Sequence, residues 1–155
     1  MKGWLAASIL PVTVAADESA HCEADVRERM GLGYKAIALK PIAKTMSMSL
    51  KIAGMAHENN IPCFCADLTV SPISVDWNKN VAARLRPLPG MKVGVLESNG
   101  HQNYRDWEKL KSHHPCFGAE WTRMEKGLFK LGEDFYRRSG GILETSEHYK
   151  KLLGV

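Results

Sequence analysis

Apolar positions along the first 114 residues fall into two alternating modes, short continuous runs and longer stretches with one apolar face. The runs are "ILPVTVAA" (9–16), "YKAIALKP" (34–41), "IPCFCADL" (61–68) and "MKVGVLES" (91–98). Continuous, β-branched apolar runs of this length predict strands buried on both faces, which belong to parallel sheets covered by helices. Pro41 closes the second run. Pro62 opens the third, where a missing N–H is tolerated. Between the runs lie four predicted helices. "CEADVRERMGLG" (22–33) stops at Gly31 and Gly33. "TMSMSLKIAGMAHENN" (45–60) is capped by Thr45 or Ser47 and places Met48, Ile52, Met55 and Ala56 on one face, read as core packing. "VDWNKNVAARL" (75–85) and "QNYRDWEKLKSH" (102–113) complete four βα units.

From about residue 115 the rhythm breaks into Gly, aromatic and charged clusters, which predict loops, short strands and a last helix. No low-complexity linker intervenes. The expected organisation is one domain over 1–155, with a βα unit over 1–114 and a C-terminal extension over 115–155 packing on it. The amino terminus superficially resembles a signal peptide, but Pro11 breaks its apolar segment and a β pattern follows, so it reads as a strand.

Composition narrows the function classes. The 155 residues are 45% hydrophobic and 25% charged, as in globular proteins. The 21 Lys and Arg are scattered among 17 acids without a basic run, which argues against nucleic acid as partner. No run approaches the ~20 apolar residues of a membrane span. The four cysteines (Cys22, Cys63, Cys65, Cys116) include no C-x-x-C pair and read as reduced, buried thiols of a cytoplasmic protein. Nucleotide-binding and serine-hydrolase signatures find no match.

The chemistry concentrates at the strand ends. Each run finishes on an ionisable residue, Asp17 (followed by Glu18), Lys40, Asp67 and Glu97, separated by 23, 27 and 30 positions. A (β/α)8 barrel uses about 31 residues per unit, and its carboxyl strand ends converge on one active site. The fold class expected is four sequential parallel βα units with an irregular extension, the arrangement found in half of a (β/α)8 barrel. Asn99 and His101 in "ESNGHQN" are candidate substrate contacts beyond a turn at Asn99–Gly100. Lys44 reads as a solvated helix start, His113 and His114 as solvent-exposed, and Trp77 as packing between helix and barrel.

"AADES", "AIALKP", "NNIPCFCADL" and "VGVLES" together resemble the latter half of the barrel in the enolase superfamily, in the mandelate racemase and muconate lactonizing enzyme branch. The ending "KGLFKL…SGGIL" is similar to that family's tail. The resemblance covers roughly residues 9 to 110 and implies a magnesium-dependent enzyme that takes a proton from the carbon next to a carboxylate, as a racemase, dehydratase or cycloisomerase. By it, Asp17 matches a metal-binding carboxylate and Lys40 an acid/base lysine. Asp67 falls where racemases of the branch carry a histidine, and Glu97 matches a hydrogen-bond donor to the substrate carboxylate. The implied substrate is a small carboxylate or acid sugar.

The chain departs from the family pattern in three places. Asp67 replaces the histidine, "AKTMSM" replaces the glycine pair after the lysine, and the K-x-K lysines and first two metal-binding acids have no counterpart here. Two alternatives follow: a non-catalytic truncated remnant or assembly fragment, and a flavodoxin-like anion-binding module. Pairing with itself as a homo-oligomer, or with a missing N-terminal half, is expected of a half-barrel.

Overall fold

The computed structural model describes residues 12–67 and 69–155, so the start of the first run and Leu68 lie outside it. Three short strands, β1 (Ala15–Ala16), β2 (Ala36–Leu39) and β3 (Cys63–Cys65), form one parallel sheet in sequential order. Their register pairs Ala15 with Ala36 and Ile37 with Cys63. Helices α1 (Glu23–Gly31), α2 (Met46–Glu58) and α3 (Pro72–Ala82) follow the strands in turn. The chain is mixed α/β.

The helix starts follow local chemistry. Asp25 Oδ2 accepts from the His21 and Cys22 N–H groups ahead of α1. Thr45 Oγ1 accepts from Met48 N at the start of α2. Ser71 Oγ accepts from Ser74 N, and Pro72 stands at the first position of α3, where a missing N–H is harmless. The expected face of α2 is buried: Ile52, Met55 and Ala56 are 2%, 5% and 0% exposed.

One core cluster joins Ala16, Ile37, Leu39, Cys63 and Cys65 of the sheet to Val26, Ile52, Ala56 and Val81 of the helices. Side chains alternate across a strand. The opposite face of the sheet therefore carries Ala15, Ala36, Ala38, Phe64 and Ala66, mostly small residues.

Two expected elements are altered. The fourth strand is reduced to a single parallel bridge between Cys65 and Leu96, with Cys65 N donating to Val95 O and Glu97 N to Cys65 O. Its partner β3 is only three residues long. Ahead of the bridge the backbone runs hard against α3, so close that a Cβ on Gly94 would lie 1.9 Å from Ala82 O. The fourth helix is split into α4 (Gly100–Asn103) and α5 (Trp107–Ser112), because Tyr104 between them is extended, with φ −91° and ψ 119°. Asn99–Gly100 is thus a helix start rather than a turn. Gly100 is required there: a Cβ would meet Val70 O at 2.4 Å and the Trp107 ring at 2.6 Å.

The extension contains a 3-10 turn at Glu120–Thr122, a hairpin of β4 (Met124–Glu125) and β5 (Leu128–Phe129), and helices α6 (Glu133–Arg138) and α7 (Glu147–Leu153). It packs on α3 through a second cluster of Cys116, Trp121 and Phe135. Hydrogen bonds tie it down: Lys79 Nζ to Trp121 O, Asn80 Nδ2 to Ser139 O, and Trp121 Nε1 to Gly140 O. His114 is buried and His113 half-buried, contrary to the exposure expected of both, because the extension folds over the first and His148 stacks on the second. Trp77 is half-buried.

Candidate functional site

Because the strands run parallel, residues that follow them collect at one end of the sheet. Asp17 and Glu18 follow β1, Lys40 follows β2, Asp67 lies just beyond β3, and Glu97 follows the Leu96 bridge. By the same alternation, Asp17, Lys40 and Glu97 belong to the sheet face opposite the helices, and Asp67 to the helix side.

Lys40 is the centre of this end. Its side chain is 9% exposed and its ammonium lies 2.9 Å from Asp17 Oδ1 and 2.9 Å from Glu18 Oε1. It also donates to Ala66 O at 3.0 Å. An ammonium has three protons, and here three acceptors surround it. Burial pulls the Lys40 pKa down, but the two paired carboxylates outweigh it and hold the group above the ordinary lysine value. In this arrangement Lys40 is a firmly held cation and hydrogen-bond donor rather than a free base.

Lys44 is drawn into the same cluster. Its ammonium donates to Asp17 O at 2.9 Å and Ala20 O at 3.1 Å, so it clamps the turn that presents the two acids. Burial lowers its pKa, with Lys40 adding to the effect and Glu18 opposing it. It is half-buried, not the solvated helix start expected from sequence. Asp67, 7% exposed, has a different job. Its Oδ2 accepts from Ile42 N at 2.6 Å and Ala43 N at 3.0 Å, fastening the turn that carries Lys40 to the neighbouring strand end. Asn78 Nδ2 donates to its backbone oxygen.

The remaining candidates stand apart from Lys40. Glu97 is exposed. Asn99 Oδ1 accepts from Thr69 Oγ1 at 2.7 Å, bracing one loop on the next. His101 is exposed and meets Trp107 edge-on at 6.3 Å between ring centres, at the wall of a separate cavity. The structure therefore joins Asp17 to Lys40, ties Asp67 to the adjoining turn, and adds Glu18 and Lys44. For Glu18 the sequence held one signal, its adjacency to Asp17. For Lys44 it held none, because the contact depends on how the turn after Pro41 folds back.

Magnesium prefers octahedral oxygen coordination. Asp17 and Glu18 face an ammonium rather than each other, and Asp67 holds two backbone N–H groups. Among the described residues no group of three His, Cys, Asp or Glu is placed to hold a metal. These residues alone do not fit a magnesium site. Burial pushes the Cys63 and Cys65 thiols up to about 12, so neither is a ready nucleophile.

Fold and site together define a mixed α/β protein with a lysine–carboxylate cluster at the carboxyl end of a parallel sheet. Comparison with family models, curated proteins and solved structures gives no significant match. Among the described residues no helix is long and apolar enough to cross a membrane.

Proposed function

We propose that the chain is the C-terminal half of a (β/α)8 barrel of enolase-superfamily type, and that Lys40 exchanges a proton with the carbon next to the carboxylate of a small acid substrate. The observation that carries this reading is the Lys40 cluster: a buried ammonium at the tip of the central strand, clasped by two carboxylates from the preceding strand tip. Sequential strand order supports it. Held as it is, Lys40 keeps its proton tightly, and giving it up is made harder by the two carboxylates. Taking one requires Asp17 and Glu18 to be engaged elsewhere, which lowers the lysine pKa. Any magnesium would need oxygen ligands from outside this chain.

The reading is tested by assembling the chain with a barrel half that carries K-x-K lysines and two further acids, and following α-deuterium loss from 2-hydroxy acids and acid sugars by NMR. Exchange that vanishes in Lys40→Ala supports it. Exchange indifferent to Lys40→Ala, or no exchange on any of these acids, counts against it. A second reading, a non-catalytic barrel fragment, is favoured by one observation. Lys40, Lys44 and Asp67 all spend their polar atoms on the protein itself. On that reading Lys40→Met changes stability alone.

A further inference from the structure

A cavity of about 780 Å³ opens on the other side of α3, between that helix, the segment leading into the Leu96 bridge, α5 and the hairpin β4–β5. None of Asp17, Lys40, Asp67 or Glu97 lines it. Its volume falls within the ~300–1,000 Å³ of small-molecule sites.

The inner wall is polar but self-sufficient. Asp76 and Lys79 stand one turn apart on α3, 1% and 4% exposed, with Lys79 Nζ 2.8 Å from Asp76 Oδ1. Lys79 also donates to Trp121 O at 2.7 Å and lies 4.0 Å above the Phe129 ring. His114 Nε2 is 2.7 Å from Asp76 Oδ2, while its Nδ1 accepts from Cys116 N. These charges are committed to one another and present a neutral surface to the cavity.

The rest of the wall divides cleanly. Val75, Val93, Leu96, Leu128, Phe129 and Trp107 supply apolar surface. The remaining polar lining is mixed: Ser98, His101, Tyr136 and the exposed Glu108 stand beside two lysines. Lys92 is exposed and enters no ion pair among the described residues. Lys111 is half-buried and only loosely matched to Glu108, at 3.6 Å. A largely apolar chamber whose edge carries two lysines against one acid, Glu108, fits a ligand with a hydrocarbon body and one anionic end.

We propose that this cavity is a binding site for an amphipathic monocarboxylate, its hydrocarbon body against Phe129, Trp107 and Val93 and its carboxylate between Lys92 and Lys111. This site is separate from the Lys40 cluster and does not depend on the function proposed for it. The test is calorimetric titration of the full chain with decanoate, with decanol and decylamine as neutral and cationic counterparts. Saturable one-to-one binding of decanoate is expected, at least tenfold weaker for decanol and weaker still for decylamine. Lys92→Gln combined with Lys111→Gln, both on the surface, is expected to lower decanoate affinity at least tenfold. Ala83→Phe, which fills the cavity, is expected to abolish it. No heat with decanoate, equal binding of decylamine, or full affinity in the double lysine variant would each overturn the proposal. Should Ala83→Phe fail to fold by circular dichroism, the three-ligand comparison on the unaltered chain still decides.

Discussion

Asp67 illustrates how a candidate catalytic acid is placed by backbone rather than by substrate. Its carboxylate is the sole side-chain acceptor found for Ile42 N and Ala43 N among the described residues, and it is nearly buried. Removing a buried acceptor leaves donors unsatisfied, at a cost of about 1–3 kcal/mol. Asp67→Ala is therefore expected to lose about that much stability in urea unfolding, and Asp67→Asn, which keeps an oxygen, distinctly less. An Asp67→Ala chain as stable as the parent would remove the bracing role. Asp76 and Lys79 make a sharper case. Deleting one member of a buried ion pair strands the other charge and costs about 3–5 kcal/mol. Lys79→Met is expected to cost no more than that, because His114 Nε2 still lies 2.7 Å from Asp76 Oδ2, and Lys79→Met with Asp76→Asn to recover part of it. At this scale the sequence was informative where a residue's place along a strand sets its position, as for Asp17 and Lys40. It was silent where two distant segments must first meet, as for His114 against Asp76, 38 positions earlier.

Among the elements, β2, β3 and α2 were legible because each carries its own signal: an unbroken apolar run, or an apolar stripe behind a capping residue. The fourth strand was not, since "KVGVL" has a strand composition yet is held off the sheet by contact with the end of α3. The last helix shows how tertiary contact sets an element's behaviour. His148 on α7 stacks on His113, ring centres 3.5 Å apart and planes 4° from parallel, and Ser146 Oγ donates to His113 O at 2.5 Å. Burial lowers the His113 pKa, with His148 and Lys109 lowering it further. A group whose folded pKa lies below its unfolded value of about 6.5 binds more protons when unfolded, so stability rises with pH through that range. Acidification below about pH 6.5 is therefore expected to loosen α7 before the sheet, seen as faster amide exchange over 147–153. His148→Ala should flatten that pH dependence. Uniform loosening of sheet and helix together would contradict the latch.

For the whole molecule, a parallel sheet of three strands and one bridge leaves two edges, beside β1 and beside Leu96, unpaired among the described residues. Unpaired edges favour association with further strands. Self-association at micromolar concentration is expected in sedimentation equilibrium. A monomer that binds no hydrophobic dye would contradict it. The proposed acid/base role and the reading of the strand tips as one centre both turn on the state of the Lys40 ammonium. Its clasp by Asp17 and Glu18 contributes stability that is complete below the unfolded lysine pKa of about 10.4 and is lost as pH rises through the higher folded value. The most direct measurement is NMR titration of the Lys40 side chain in the isolated chain, assigned with Lys40→Arg, and repeated in Asp17→Asn and Glu18→Gln. A midpoint above that of free lysine, falling in each variant, is the result this account requires. A Lys40 that titrates at or below the ordinary value, and does not move when either acid is neutralised, would contradict it.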